Sequence, residues 1–249
     1  MKIAVLFDGA GLARLGLEQA GHECVGVELD PIRHHLSKMV GSGNCVLGDA
    51  TQFPLSDEFD AVWASPPCAK RSTAPKDLTK RGGLRNAEYQ QDLLQWCLDN
   101  QDFPLISWIE NVSVWGGKHD RWGTTWNAAQ FSKLQNRNRV IGGCYEFPKA
   151  KPYKRAFPGV CPCIMATEYK GCATDKTRAS RFYGRKLTPQ ECAKHQGFKI
   201  PEGWWTVPSW YMPLAPWRNR EVQWIRRIYE AIGDGVPVFM SKAFGKVYP

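Results

Sequence analysis

The sequence predicts an α/β fold in which a doubly wound, mostly parallel sheet carries a small irregular lobe. Three observations support this prediction. The first half of the 249-residue chain alternates short apolar runs with helical periods. A glycine or polar side chain follows each apolar run, and the alternation stops near residue 145. A chain of this length buries a sizeable core without disulfides.

The predicted strands are short apolar runs, and each ends where a glycine, proline or polar residue interrupts it. In chain order they cover residues 2–7, 23–29, 44–49, 59–66 and 104–111.

Amphipathic spacing predicts the helices that connect these strands. They cover residues 11–21, 31–40 and 86–100. The first ends at Gly21, and the second begins at Pro31, because proline suits the first turn of a helix.

The second half of the chain has a different composition. Residues 144–215 are rich in Pro, Gly, Cys, Lys and Trp, and a helical period recurs only at 188–197. Residues 216–249 regain helical spacing on both sides of a Gly-Asp-Gly turn at 233–235. We therefore expect one main domain from residues 1–143 and 216–249, with 144–215 as a small separate lobe.

The charge and cysteine content limit the possible partners and compartments. The formal net charge is +9, and cations concentrate in residues 69–85 and 118–155. A polyanion such as nucleic acid is the simplest partner for this surface. The nine cysteines are irregularly spaced, which indicates a reducing compartment. No apolar run approaches the ~18 residues of a membrane span, so a soluble intracellular protein is expected.

Polar groups follow the first three strands. Gly9 and Gly11 make a glycine-rich turn that brings backbone N–H groups close to a ligand. Glu28, roughly 20 residues on, is placed to accept hydrogen bonds from ribose hydroxyls, and Asp49 ends the third strand. These groups predict a nucleoside-containing cofactor. The loop lacks the G-x-G-x-x-G spacing, which argues against a dinucleotide.

The fourth strand ends in the sequence SPPC, which places a thiol at the same edge of the sheet. Two prolines fix the backbone before Cys68, and Lys70 and Arg71 are placed to lower its pKa. Glu110, at the end of the fifth strand, is expected to face the same crevice. A buried structural thiol is the alternative interpretation of Cys68.

The sequence resembles the DNA cytosine-5 methyltransferases, with eight motifs in the family's order. They are FDGAG at 7–11, ELD at 28–30, GDA at 48–50, SPPC at 65–68, ENV at 110–112, QNRNRV at 135–140, RKLTPQECAKHQGF at 185–198 and AIGDGVP at 231–237. The resemblance covers nearly the whole chain outside residues 145–180. It implies a Rossmann-like class I methyltransferase fold whose main domain is catalytic and binds S-adenosyl-L-methionine.

The resemblance also implies a catalytic set. Cys68 would add to C6 of a flipped-out cytosine, and C5 would then take a methyl group from S-adenosyl-L-methionine. Glu110 would bind the N3/N4 edge and favour protonation at N3. Arg139 would contact O2 of the base, and Arg137 would support the site.

Binding residues follow from the same resemblance. Those expected at the cofactor are Phe7, Asp8, Gly9, Gly11, Glu28, Asp49, Pro67, Gly233 and Asp234. Those expected at the nucleic acid lie on a loop after the cysteine, namely Lys70, Arg71, Lys76, Lys80, Arg81 and Arg85. The expected substrate is cytosine-containing duplex DNA. The expected protein is a monomer in a bacterial cytoplasm or a phage-infected host, as in restriction-modification.

Several residues depart from the family's pattern. Ala69 replaces the usual glutamine after the cysteine, and Leu12 replaces a glycine of the first loop. Asp234 replaces an asparagine, and Asp8 adds a second acid. Two carboxylates near the methionine part favour a modified, more cationic S-adenosylmethionine that would install a larger C5 group. Alternatively, these acids pair with the ordinary cofactor's ammonium group.

The lobe is also smaller than is usual in the family. Only about 45 residues separate the arginine motif from RKLTPQ, so few side chains reach base edges. The recognised DNA sequence should therefore be short or only loosely specified. Four cysteines of the lobe could together bind zinc, but their irregular C-x-C spacing argues against a zinc site. They are Cys144, Cys161, Cys163 and Cys172.

Two further functions remain open at this stage. The small lobe permits an RNA cytosine-5 methyltransferase with the same chemistry. The substitutions Ala69 and Asp234 permit a catalytically silent nucleic-acid-binding relative.

Overall fold

The computed structural model contains a seven-stranded sheet with helices on both faces. It describes residues 1–67, 93–100, 102–112, 122–143, 146–170, 179–213, 217 and 219–248. The strands are β1 (Lys2–Leu6), β2 (Glu23–Glu28), β3 (Cys45–Leu47), β4 (Ala61–Ala64), β5 (Ile106–Val112), β6 (Gly123–Asn127) and β7 (Asn138–Gly142). Their order is β3-β2-β1-β4-β5-β7-β6, and β1 to β5 pair in parallel, whereas β7 is antiparallel to both β5 and β6.

Helices connect and cover these strands. They are α1 (Leu12–Glu18), α2 (Pro31–Ser37), α3 (residues 93–99), α4 (Ala179–Phe182), α5 (Pro189–Gln196), α6 (Arg220–Asp234) and α7 (Val238–Gly245). Asp30 caps α2, since its carboxylate accepts from the N–H groups of Ile32 and Arg33.

Alternate side chains of β1 point to opposite faces of the sheet, and each face has its own apolar cluster. Ile3 and Val5 pack with residues of α1 and α7. Ala4 and Leu6 pack with residues of α3. The sheet is therefore buried on both sides, which is why its strands are continuous apolar runs in the sequence.

A third apolar cluster joins residues of the expected lobe to helices of the expected main domain. Cys161, Ile164 and Trp204 pack there with Leu36 of α2 and Ile228 of α6. The division into a main domain and a lobe at 144–215 remains a prediction.

The predicted fold class is confirmed, and all five predicted strands are present. The hairpin of β6 and β7 was not predicted, because its strands are five residues long and mix polar side chains with apolar ones. The Gly-Asp-Gly turn was placed too early. Helix α6 runs through Gly233 and Asp234, and the chain turns only at Gly235 to Pro237.

Among the described residues, no helix is both long and apolar enough to cross a membrane.

Candidate active site at the carboxyl edge of the sheet

The turn after β1 has an unusual backbone. Phe7 has φ 58°, the one non-glycine residue in the described chain with positive φ. Gly9 and Gly11 also have positive φ, at 61° and 81°. A left-handed conformation costs a non-glycine residue roughly 1–2 kcal/mol, and such strain tends to occur at ligand sites. A Cβ on Gly9 would meet no atom within 4 Å, so the space above this residue is open.

Glu28 joins this turn to the end of β2. Its Oε2 accepts from the N–H of Gly9 at 2.7 Å, and its Oε1 accepts from the N–H of Asp30 at 2.8 Å. Burial raises the pKa of Glu28 above its usual value. The carboxylate thus holds the glycine turn against β2, and its oxygens retain lone pairs for a ligand.

Asp8 has a structural environment that the sequence did not reveal. Its Oδ2 accepts from Arg14 Nε at 3.1 Å and from Ser37 Oγ at 2.5 Å, and both charged side chains are fully buried. Burial raises the pKa of Asp8 despite the nearby guanidinium. The carboxylate is therefore used inside the protein, and any cofactor contact of Asp8 would come from its backbone.

Asp234 is also paired. Its Oδ2 lies 2.5 Å from Arg33 Nη2, which connects the end of α6 to the start of α2. The expectation of a more cationic cofactor assumed two carboxylates available to a ligand. Asp8 does not meet that assumption, because its carboxylate is fully buried against Arg14, whereas Asp234 pairs with Arg33 and remains 43% exposed.

The ends of β4 and β5 are linked beside a buried ion pair. Asn111 Nδ2 donates to the carbonyl of Pro66 at 3.0 Å, which places the SPPC segment against β5. In the residue before Asn111, Glu110 Oε1 lies 2.6 Å from Arg139 Nε. Apart from this ion pair, Oε1 has no hydrogen-bond partner among the described residues, so it retains a lone pair for a polar ligand group.

Cys68 lies outside the described residues. The described chain reaches Pro67, one residue after the carbonyl that Asn111 holds. The structure thus brings together Glu110, Arg139 and the segment that leads to Cys68.

Arg137 lies in the core next to this site. It is 2% exposed, and its guanidinium donates to the carbonyls of Ile164 at 2.7 Å and Gly233 at 2.9 Å. Burial lowers the pKa of Arg137. These bonds connect β7 to the end of α6, so Arg137 is placed to position the site rather than to touch a substrate.

The other expected site residues have distinct surroundings. Asp49 caps a short 3-10 helix by accepting from the N–H of Thr51 at 2.9 Å. A Cβ on Gly233 would collide with the backbone of Met165 and Ala166, so this glycine permits close packing of α6. All six cations expected at the nucleic acid lie outside the described residues, namely Lys70, Arg71, Lys76, Lys80, Arg81 and Arg85.

Two of the four lobe cysteines are described. Cys161 is buried, and burial raises its pKa to about 12, whereas the half-buried Cys163 accepts a hydrogen bond from Arg137 at 3.2 Å. Cys144 and Cys172 lie outside the described residues. No cluster of three or more metal-binding side chains occurs in the part of the chain that the structure describes.

Three residues with a place in the site were missed from the sequence. Arg33 pairs with Asp234, and Asn111 holds Pro66. Leu29 follows Glu28 and is 56% exposed, so an apolar side chain is accessible beside the strand-end acid. Only Leu29 carried a usable signal, as an apolar residue directly after a strand-end acid.

Comparisons with known proteins show similarity in structure alone. No protein-family model matches the sequence, and no curated protein matches it either. Solved structures do match. The Entamoeba histolytica methyltransferase EhMeth is 12% identical, with TM-score 0.59 over 98% of this chain and 96% of its own. This chain has a methyltransferase fold.

Two further solved structures agree. Dnmt2 methyltransferase of S. pombe has TM-score 0.57 at 12% identity, covering 98% of this chain and 96% of its own. A prophage-encoded E. coli protein assigned as a DNA modification methyltransferase has TM-score 0.56 at 12% identity, covering 99% and 97%. The methyltransferase fold thus spans almost the whole chain.

Proposed function

We propose that this protein transfers a methyl group from S-adenosyl-L-methionine to C5 of cytosine in DNA. The observation that carries the proposal is the buried Glu110–Arg139 pair beside the SPPC segment. An acid and a fixed cation next to a strand-end thiol suit acid catalysis on a pyrimidine ring.

In the proposed reaction the thiolate of Cys68 forms a bond to C6 of the extruded cytosine. A proton that Glu110 takes up from solvent passes to N3, so the ring accepts the electron pair and C5 becomes nucleophilic. S-adenosylmethionine would supply the electrophilic methyl group. Solvent then takes the C5 proton, the thiolate leaves C6, and N3 returns its proton to Glu110, which restores the ring. Arg139 would hold Glu110 and the base O2.

Several groups support the proposed cofactor. Glu28 has carboxylate lone pairs available for ribose hydroxyls, the exposed Leu29 beside it is an apolar surface for a purine, and the space above Gly9 is open. Asp49 follows β3 at the same edge of the sheet. The prophage-encoded neighbour is assigned to DNA modification, which is the support for naming DNA as the substrate.

Covalent trapping on 5-fluorocytosine oligonucleotides tests this function, because fluorine at C5 cannot leave as a proton and the adduct persists. We expect an adduct on duplex DNA that Cys68→Ser abolishes. Glu110→Gln should slow methyl transfer about 10²- to 10⁴-fold, the usual contribution of a general acid.

The matched control is Cys163→Ser, which removes a half-buried thiol that is not the proposed nucleophile. This variant should still form the adduct. Adducts on RNA hairpins alone would assign the same chemistry to RNA. The absence of an adduct on both DNA and RNA would contradict the proposed methyltransferase activity and favour a nucleic-acid-binding protein without catalysis.

A further inference from the structure

Residues 149–155, KAKPYKR, form a basic segment that we name the strap. It contains four cations in seven residues, Lys149, Lys151, Lys154 and Arg155, and it has neither helix nor strand. Pro152 prevents a regular hydrogen-bonding pattern in its middle. Its conformation must therefore come from contacts with the rest of the protein.

Side-chain amides of the β6–β7 hairpin supply these contacts. Gln130 Nε2 donates to the carbonyl of Lys151 at 2.7 Å. Asn127 Nδ2 donates to the carbonyls of Lys154 at 3.0 Å and Arg155 at 3.2 Å. Asn127 is fully buried and Gln130 is 6% exposed. Strap carbonyls thus face the protein, and buried polar groups fix the backbone.

The cationic side chains point the other way. Lys149, Lys151 and Lys154 are exposed. None of the three forms an ion pair with a carboxylate of any described residue. Tyr153 is 46% exposed between them. Ammonium groups that pair with no carboxylate of the described residues and extend from a fixed backbone, beside an exposed aromatic ring, suit a polyanion with regularly spaced charges.

One residue connects the strap to the candidate active site. Asn138 Nδ2 donates to the carbonyl of Arg155 at 3.2 Å. The carbonyl of the same Asn138 accepts from Arg139 Nη1 at 2.8 Å. The strap is thus anchored next to the guanidinium that pairs with Glu110.

We propose that the strap binds the phosphate backbone of DNA flanking the target cytosine, an inference that rests on the proposed function. Phosphate contacts set the position of a duplex and carry no direct sequence information. The strap therefore contributes affinity that does not depend on sequence, and it aligns the duplex with the Glu110–Arg139 pair.

The test is the salt dependence of binding to a cytosine-containing DNA duplex, since each neutralised phosphate contributes about −0.9 to the slope of log K against log[salt]. The triple variant Lys149→Gln, Lys151→Gln, Lys154→Gln should reduce the magnitude of the slope by roughly 2–3. Affinity at moderate salt should fall about tenfold or more. The loss should be equal for unrelated duplex sequences.

A matched control changes three exposed lysines outside the strap, Lys38, Lys194 and Lys199. Lys38 caps the C-terminal end of α2 and Lys194 lies in the last turn of α5, so neither belongs to the strap or to the residues that hold it, and the slope should match that of the wild type. An unchanged slope in the strap variant, or an equal change in both variants, would overturn the proposal.

The outcome separates the strap from the function on which it rests. If the strap variant binds like the wild type while 5-fluorocytosine trapping persists, only the strap proposal fails. If the wild type traps no DNA, the proposed function fails as well. A slope change seen with RNA hairpins and absent with the duplex would contradict the assignment to DNA.

Discussion

At the scale of single residues, two ion pairs of this protein differ in how far their side chains are buried. Both side chains of the Asp8–Arg14 pair are fully buried, whereas 38% of Arg33 and 43% of Asp234 remain exposed. Removing one partner of a buried pair strands the other charge, which costs far more than losing an exposed pair. Asp8 therefore acts on stability, although it lies within the glycine turn after β1.

We expect Asp8→Ala to lower the free energy of unfolding by about 3 kcal/mol, because Arg14 would stay buried with Glu18 as its remaining carboxylate partner. Asp234→Ala should cost less than about 1 kcal/mol, because its ion pair is partly exposed. Urea denaturation measures both, with the exposed Asp57→Ala as the control. Equal losses at positions 8 and 234 would contradict this division.

At the scale of elements, the end of α6 is where three parts of the chain meet. A helix end leaves its last carbonyls without partners inside the helix. Here Gln196 of α5 donates to the carbonyls of Ile232 and Gly235, and Arg137 donates to that of Gly233. A guanidinium at a helix C-terminus also complements the helix dipole. These side chains connect the start of β7 and α5 to the turn at Gly235, which packs against Leu12 at the start of α1.

Gly233→Ala should weaken this junction, since the new Cβ would collide with the backbone of Met165 and Ala166. Overpacking of this kind typically costs about 1–3 kcal/mol. Thermal and urea denaturation would show the loss. The control is Gly48→Ala, where a Cβ meets nothing within 4 Å and stability should stay close to that of the wild type. A stable Gly233→Ala protein would refute the packing role.

At the scale of the whole molecule, most of the described cysteine side chains are buried in the packed interior. Six cysteines lie in the described residues, all as free thiols, and five of them are buried. Burial raises the pKa of Cys24, Cys45, Cys97 and Cys161 to about 12. These thiols stay protonated in the folded protein, so they are poor nucleophiles and poor metal ligands.

Stability should therefore fall in alkali. Well below the ordinary thiol pKa of about 8.5, these thiols are protonated in both states and contribute no pH dependence. Between pH 9 and 12 only the unfolded chain loses their protons, so the free energy of unfolding decreases, by at most about 1.4 kcal/mol per pH unit for each thiol. Urea denaturation at pH 8, 9.5 and 10.5 with a reductant measures this slope.

A Cys97→Ala variant provides the control. Its free energy of unfolding should fall less steeply with pH, because it lacks the contribution of one thiol. Identical slopes for the variant and the wild type would show that these thiols ionise equally in the folded and unfolded protein.

The sequence by itself determined the parallel strands, the glycine turn and the strand-end residues Glu28 and Glu110, because local periodicity and turn chemistry are written in neighbouring residues. Only the tertiary structure decided the partners of Asp8, Asp234 and Arg137, because each partner lies in another element. Whether a charge serves a ligand or the core depends on the distance to that partner, which no single segment of the sequence contains.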